Sequence, residues 1–253
     1  MRVALSLRDL DWLLLGVAVL LAIVGVAEVY STTAHSTLAS EYRKQFEWVA
    51  LGVLAALAVS QVDYRRVVEH APVLYLASLA ALGAVLALGR AVARTHRWLT
   101  IGGQSLQVSE LVKLVIIILV AFYLGRRNPR PVSWKDLVIL GFVPVSHADF
   151  IFAAFSEEQG FVGAVLILLL YLVLLLRLLD GAQWAPDGSG AYLVAGLAAV
   201  LFFQVAVNVG MMIGWLPITG IPLPLMSQGG SSAFATFVGL GLALSVKRRR
   251  FVN

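Results

Sequence analysis

Seven long apolar runs follow one another along this chain, at residues 12–30, 46–62, 72–88, 108–124, 160–179, 191–215 and 232–246. Crossing about 30 Å of hydrocarbon takes roughly 20 helical residues, so each run has, or comes close to, the length of a membrane span. In hydrocarbon every backbone N–H and C=O must find its partner inside the structure, which leaves only helices or closed barrels. The runs lack the alternating apolar and polar period of a barrel strand. The expected fold is all-α: a polytopic transmembrane helical bundle with irregular extracytoplasmic loops. Composition agrees, since 60% of the 253 residues are hydrophobic and 13% charged, too few polar groups to clothe a water-soluble surface. The mean hydropathy is +0.90. Trp12, Trp48, Trp98, Trp134, Trp184 and Trp215 fall at or near run ends, where an indole sits at headgroup level. The first run follows Arg2 and Arg8 but is long for a signal-peptide core and lacks a small-x-small cleavage site, so it reads as a retained span. Residues 1–253 read as a single transmembrane domain.

Charge placement sets the expected orientation. Lysine and arginine in short loops mark the cytoplasmic side. They gather at Arg2 and Arg8, at Arg65 and Arg66, at Arg126, Arg127, Arg130 and Lys135, and at Lys247, Arg248, Arg249 and Arg250. Both termini are therefore expected in the cytoplasm. The net charge of +5, carried near run ends, suits an anionic membrane surface and not nucleic acid. The absence of cysteine excludes disulfide, thiolate-metal and thiol-nucleophile chemistry.

The topology does not close, however. Four spans from the N-terminus leave Lys135 inside, whereas three spans back from the tail put residues 143–159, with the acidic Asp149, Glu157 and Glu158, outside. The apolar residues between them, 137–145, make only about 14 Å of helix at 1.5 Å per residue, half a crossing. Either that segment is a re-entrant half-helix, or the chain lacks an internal stretch near Gly141 and Phe142. The second reading expects those two Cα atoms not to lie at the roughly 3.8 Å of a trans peptide.

Several polar groups break the apolar pattern. The loop at 89–107 is extracytoplasmic by the count yet carries Arg90, Arg94, His96 and Arg97. An arginine fork there can hold phosphate oxygens, or it can anchor the loop at the interface. Glu110 and Lys113 enter the fourth run three residues apart, on one helix face. At membrane depth such groups face a cavity or pair with each other. Gln204 and Asn208, four apart, read as helix-packing glue. Asp149 stands beside Phe150, Ile151 and Phe152; partial desolvation strengthens a carboxylate as a base while leaving it ionised. It fits equally as a helix-start carboxylate facing the dipole. His147 is a neighbouring alternative, more often a polar anchor. Residues 215–232 carry no charge, three prolines and three glycines, an apolar non-helical wall of the kind tolerated where it is buried or lines a cavity.

Taken in order, these residues resemble a known family. Arg97, Trp98 and Leu99 lead to Gln107, Val108, Ser109, Glu110 and Lys113. Next come Ser146, His147, Ala148 and Asp149, then Glu157, Glu158, Gln159 and Gly160. Asn208, Val209 and Gly210 precede Leu216, Pro217, Ile218, Thr219, Gly220, Ile221 and Pro222, and the series closes on Ser227, Gln228, Gly229, Gly230, Ser231 and Ser232. The blocks look like the successive signatures of the shape, elongation, division and sporulation family. The wording at Thr219 to Pro222 resembles its rod-shape branch more than its division branch, which tends to carry a lysine there.

The resemblance implies a peptidoglycan glycosyltransferase of the bacterial cytoplasmic membrane. Such an enzyme polymerises lipid II on the outer face during elongation, beside a class B penicillin-binding protein and other membrane proteins of the elongation complex. It implies Asp149 as the base acting on an acceptor sugar hydroxyl. Arg97, Trp98, Glu110, Lys113, Ser227, Gly229 and Gly230 are implied as substrate-binding residues, with a divalent cation such as Mg2+ as a candidate further charge. Val108 replaces a usual proline, Gln228 a tyrosine and Gln159 a leucine; none is a proposed catalytic group. The family has roughly ten spans, more than are visible here. Two rival functions use the same features: a lipid II flippase or transporter, and a non-catalytic scaffold for cell-wall enzymes.

Overall fold

The computed structural model describes residues 9–33, 41–88, 90–92, 95–101, 104–126, 151–217 and 221–249. Helices α1 (Trp12–Thr33), α2 (Glu41–Gln61), the short α3 (Tyr64–Glu69) and α4 (Ala71–Leu88) come first. Strands β1 (Arg90–Val92), β2 (Thr95–Ile101) and β3 (Gln104–Gln107) follow, then α5 (Val108–Gly125), α6 (Ile151–Gln183), α7 (Gly188–Met212) and α8 (Gly230–Arg248). All seven apolar runs are helical. Among the described residues, α1, α5, α6, α7 and α8 are long and apolar enough to cross a membrane. The first half of α2 carries Glu41, Arg43, Lys44 and Glu47, and α4 spans 18 residues without a charge. The chain is a multi-pass helical membrane protein.

Two expectations about loops change. Residues 90–92, 95–101 and 104–107 form a three-stranded antiparallel meander in the order β1-β2-β3. A strand pair satisfies backbone groups that a loop would have to expose. The stretch from Ile151 onward is also helical, because α6 runs through Ser156, Glu157, Glu158 and Gln159 before bending at Gly160, where φ is 66° and ψ −168°. That conformation is essentially restricted to glycine, which is why the helix bends there.

Helix starts follow from side-chain caps. The Leu14 N–H donates to Asp11 Oδ1 at 3.1 Å, and the Gly190 N–H donates to Asp187 Oδ1 at 2.7 Å; each replaces a partner that the first helical turn lacks. At its other end, α8 closes on Lys247 and Arg248, cations that suit the negative end of the helix dipole. The broadest interface joins α2 to α8. A Cβ at Gly241 would come within 2.7 Å of the Ala56 carbonyl oxygen, so the two backbones touch, as small residues allow in membrane bundles.

The helix ends fall into two groups. At one end Asp11 Oδ2 accepts from Arg177 Nη2 at 2.8 Å and from Lys247 Nζ at 2.7 Å, and Lys247 also meets Asp180 Oδ2 at 2.7 Å. These contacts gather the start of α1 with the ends of α6 and α8. Asp187 holds the Tyr64 hydroxyl at 2.7 Å and Arg65 Nε at 2.8 Å nearby. At the opposite end lie the meander and the start of α6, where Ser31 Oγ donates to Glu158 at 3.0 Å. The end of α5 belongs to the Asp11 end, since Gly125 abuts Ser189 of α7. The chain therefore leaves α5 at one end of the bundle and enters α6 at the other. Residues 137–145 and the Gly141 and Phe142 pair, on which the crossing deficit rests, lie outside the described residues.

Burial pulls the Asp187 carboxyl upward, but the Gly190 N–H, the Tyr64 hydroxyl and the Arg65 guanidinium outweigh it and hold it below the usual carboxylate range. Asp11 shifts the same way: burial is again opposed, here by Arg177, Lys247 and the Leu14 N–H. A lowered folded-state value means stability that is present above the unfolded value, about 4, and lost as pH falls from there through the lower folded value. Thermal unfolding of the parent and Asp187→Asn should therefore differ at pH 7, with the parent more stable. The gap should close as pH falls below about 4.

Candidate functional site

Glu110 and Lys113 lie in the first two turns of α5, at the meander end. Lys113 Nζ stands 2.7 Å from Glu110 Oε2, the i,i+3 pairing expected from their spacing. Glu110 is only 7% exposed. The pair forms part of the lining of a narrow, half-open cleft that also takes in Gln204 from α7 and Thr236 from α8. Leu114, Leu197, Leu201 and Leu240 give it apolar walls. A few polar groups converging between apolar walls are a feature of ligand sites. The polar pair on α7 divides its work. Asn208 is a packing residue, its Nδ2 donating to the Ile221 carbonyl at 3.0 Å, whereas Gln204 faces the cleft. Their shared spacing hid this difference, because i,i+4 residues read alike until the neighbouring helices are placed.

The apolar, non-helical segment that begins at Ile221 leads into α8, whose Ala235 and Thr236 line the cleft. Ile221, Leu223, Leu225, Met226 and Ser227 are all buried, as the charge-free sequence suggested. Four helices fasten it. Asn208 of α7 reaches Ile221 as above, and the Tyr171 hydroxyl of α6 donates to the Pro224 carbonyl. From α2, Gln45 Nε2 donates to the Ser227 carbonyl and Gln45 Oε1 accepts the Gly229 N–H, each at 3.2 Å. From α1, Gly25 meets the segment backbone so closely that a Cβ there would lie 2.6 Å from Met226 Cα. Held this tightly, Leu225 adopts φ 69°, a conformation that costs a leucine about 1–3 kcal/mol.

The candidate substrate residues divide accordingly. The Ser227 hydroxyl accepts the Leu223 N–H at 2.6 Å, so it holds its own turn. Gly229 caps α8, and Gly230 leaves no room for a Cβ beside Trp48. Arg97 and Trp98 lie in β2, where Trp98 pairs in register with Gln107 of β3. Because β3 runs directly into α5, that register sets the β2 backbone three residues before Glu110; the Arg97 and Trp98 side chains lie outside the described part. Asp149 and His147 also lie outside the described residues. Ile151, two residues after Asp149, opens α6 at this same end of the bundle. Gln45, Gln204 and Thr236 were not singled out for the site from sequence. Among the described residues no three His, Asp or Glu side chains converge, and the Glu110 carboxylate is engaged by Lys113. That part of the site does not fit a divalent cation.

The curated Escherichia coli (strain K12) peptidoglycan glycosyltransferase MrdB is 43% identical over 111 residues, 44% of this chain and 30% of that protein. The aligned stretch thus spans less than a third of the relative's own length. The crystal structure of the Thermus thermophilus rod shape determining protein RodA matches with TM-score 0.80 and 31% identity, covering 96% of this chain and 98% of that one. A chain from a study of the structural coordination of polymerization and crosslinking by a peptidoglycan synthase complex matches at TM-score 0.82 and 27% identity, with 96% and 99% covered. The sequence pattern of the FtsW, RodA and SpoVE cell cycle proteins matches in two pieces, residues 8–140 and 132–251. With nearly the whole length matched by that pattern and the bundle reproduced in a solved rod-shape protein, the chain belongs to the FtsW/RodA/SpoVE family of cell cycle proteins.

Proposed function

We propose that this protein is a peptidoglycan glycosyltransferase that polymerises lipid II during elongation of rod-shaped cells. The observation that carries the reading is the Glu110–Lys113 pair lining an apolar cleft with Gln204 and Thr236. It puts a cation within membrane depth, where a phosphate-bearing lipid can bring its headgroup without leaving the bilayer. In this reading the meander end faces outward and both termini lie in the cytoplasm, as the basic loops and the Lys247 to Arg250 tail require.

The chemistry follows from two lipid-linked substrates. Asp149 takes the proton from the acceptor sugar hydroxyl. That oxygen bonds to the anomeric carbon of the donor, and the bond from this carbon to the lipid pyrophosphate breaks. Arg97 and Lys113 carry the charge that builds on the departing pyrophosphate. Glu110 keeps Lys113 aimed, Trp98 shapes the approach, and Gly229 and Gly230 act through the placement of α8, whose Thr236 lines the cleft. A class B penicillin-binding protein is the expected crosslinking partner, alongside other membrane proteins of the elongation complex. The two-piece family match, together with the opposite ends at which α5 stops and α6 starts, supports an internal segment missing near Gly141 and Phe142.

Incubating purified protein with labelled lipid II, with and without its crosslinking partner, tests the reading. Long glycan polymer is the expected product. Movement of lipid II between leaflets with no polymer would favour the flippase reading. Neither activity, with partner binding intact, would favour the scaffold.

A further inference from the structure

We propose that Gln45 is a positioning residue of this site, setting the amino end of α8 and through it the cleft wall at Ala235 and Thr236. The inference rests on the glycosyltransferase reading above. Gln45 is 3% exposed and sits in the first turns of α2, far in sequence from what it holds. Its carboxamide donates to the Ser227 carbonyl and accepts the Gly229 N–H, each at 3.2 Å. Gly229 is the N-cap of α8 and has no side-chain cap of its own, so the first turn of that helix is fixed from outside. Three residues on, along the same face of α2, Trp48 presses on Gly230 and meets Phe234 edge to face at 5.7 Å. From Gly230 to Thr236 is about 9 Å of rigid helix. A shift at Gly229 therefore moves Thr236 against Glu110, Lys113 and Gln204 across the cleft.

The side-chain chemistry is selective. A carboxylate at position 45 would place an oxygen against the Ser227 carbonyl, and a thioether would satisfy neither backbone group. A buried amide serving only to fill space would be replaceable by an apolar side chain of the same size. One that sets geometry would not.

The test compares Gln45→Met and the isosteric Gln45→Glu with Ser60→Ala, which lies on the same helix at the other end of the bundle and bonds to the Leu57 carbonyl. Thermal unfolding of each purified variant controls for folding. Lipid II polymerisation is then measured over a concentration series. The expected result is a KM about tenfold higher in both Gln45 variants, as loss of roughly one hydrogen bond's worth of binding implies, with kcat little changed and Ser60→Ala like the parent. An unchanged KM in the Gln45 variants would overturn the proposal. So would losses that track thermal stability equally in all three variants. If the parent makes no polymer, the glycosyltransferase reading fails on its own. Fluorescence titration with labelled lipid II then decides this one: weakened binding only in the Gln45 variants supports it, and equal binding overturns it.

Discussion

Lys113→Met is expected to lower polymer formation by about a hundredfold and to destabilise the protein by about 3–5 kcal/mol. The stability cost arises because Glu110, 7% exposed, would keep a carboxylate in an apolar wall with its 2.7 Å partner gone. Removing one member of a buried pair strands the other charge. The activity cost arises because a cation aimed at developing pyrophosphate charge in a low-dielectric cleft is worth a factor of 10² or so. The two effects separate in the double variant Glu110→Gln with Lys113→Met, which leaves no stranded charge. Thermal unfolding of that variant should return toward the parent, while its polymer formation stays low. A double variant that regained activity along with stability would make the pair a packing device only.

The architecture was legible in the sequence wherever a single solvent rule decided it. The run at 108–124 became α5 nearly residue for residue, because hydrocarbon thickness fixes how long an apolar helix must be. Glu110 and Lys113 were legible as a pair, because helical periodicity alone brings i and i+3 together. The meander at 90–107 was not, since its strands are short and its pairing depends on contacts across the loop. Gln45 was not legible either. It belongs to a charged, unremarkable first turn of α2, and its role exists only because the fold carries Ser227 and Gly229 to it from about 180 positions away. Gln204 shows the same limit in reverse: its spacing was visible, but which neighbour it faces depends on the placement of α5 and α8.

The crossing deficit is a further case. Counting lysines and arginines put Lys135 on one face of the membrane and residues 143–159 on the other. The described ends of α5 and α6 lie at opposite ends of the bundle. The count itself depends on only a few residues per loop.

Asp149 carries the central claim. In the proposed mechanism it takes the acceptor proton, and positioned general bases contribute about 10²–10⁴-fold. Arg97, Lys113 and the cleft would remain in its absence, so binding of lipid II should survive its loss. The direct measurement is the rate of glycan polymer formation from labelled lipid II by purified parent and Asp149→Ala, with lipid II binding followed in the same preparations. Polymer formation reduced by at least about a hundredfold, with binding retained, is the predicted result. Polymer made at the parent rate by Asp149→Ala would contradict it.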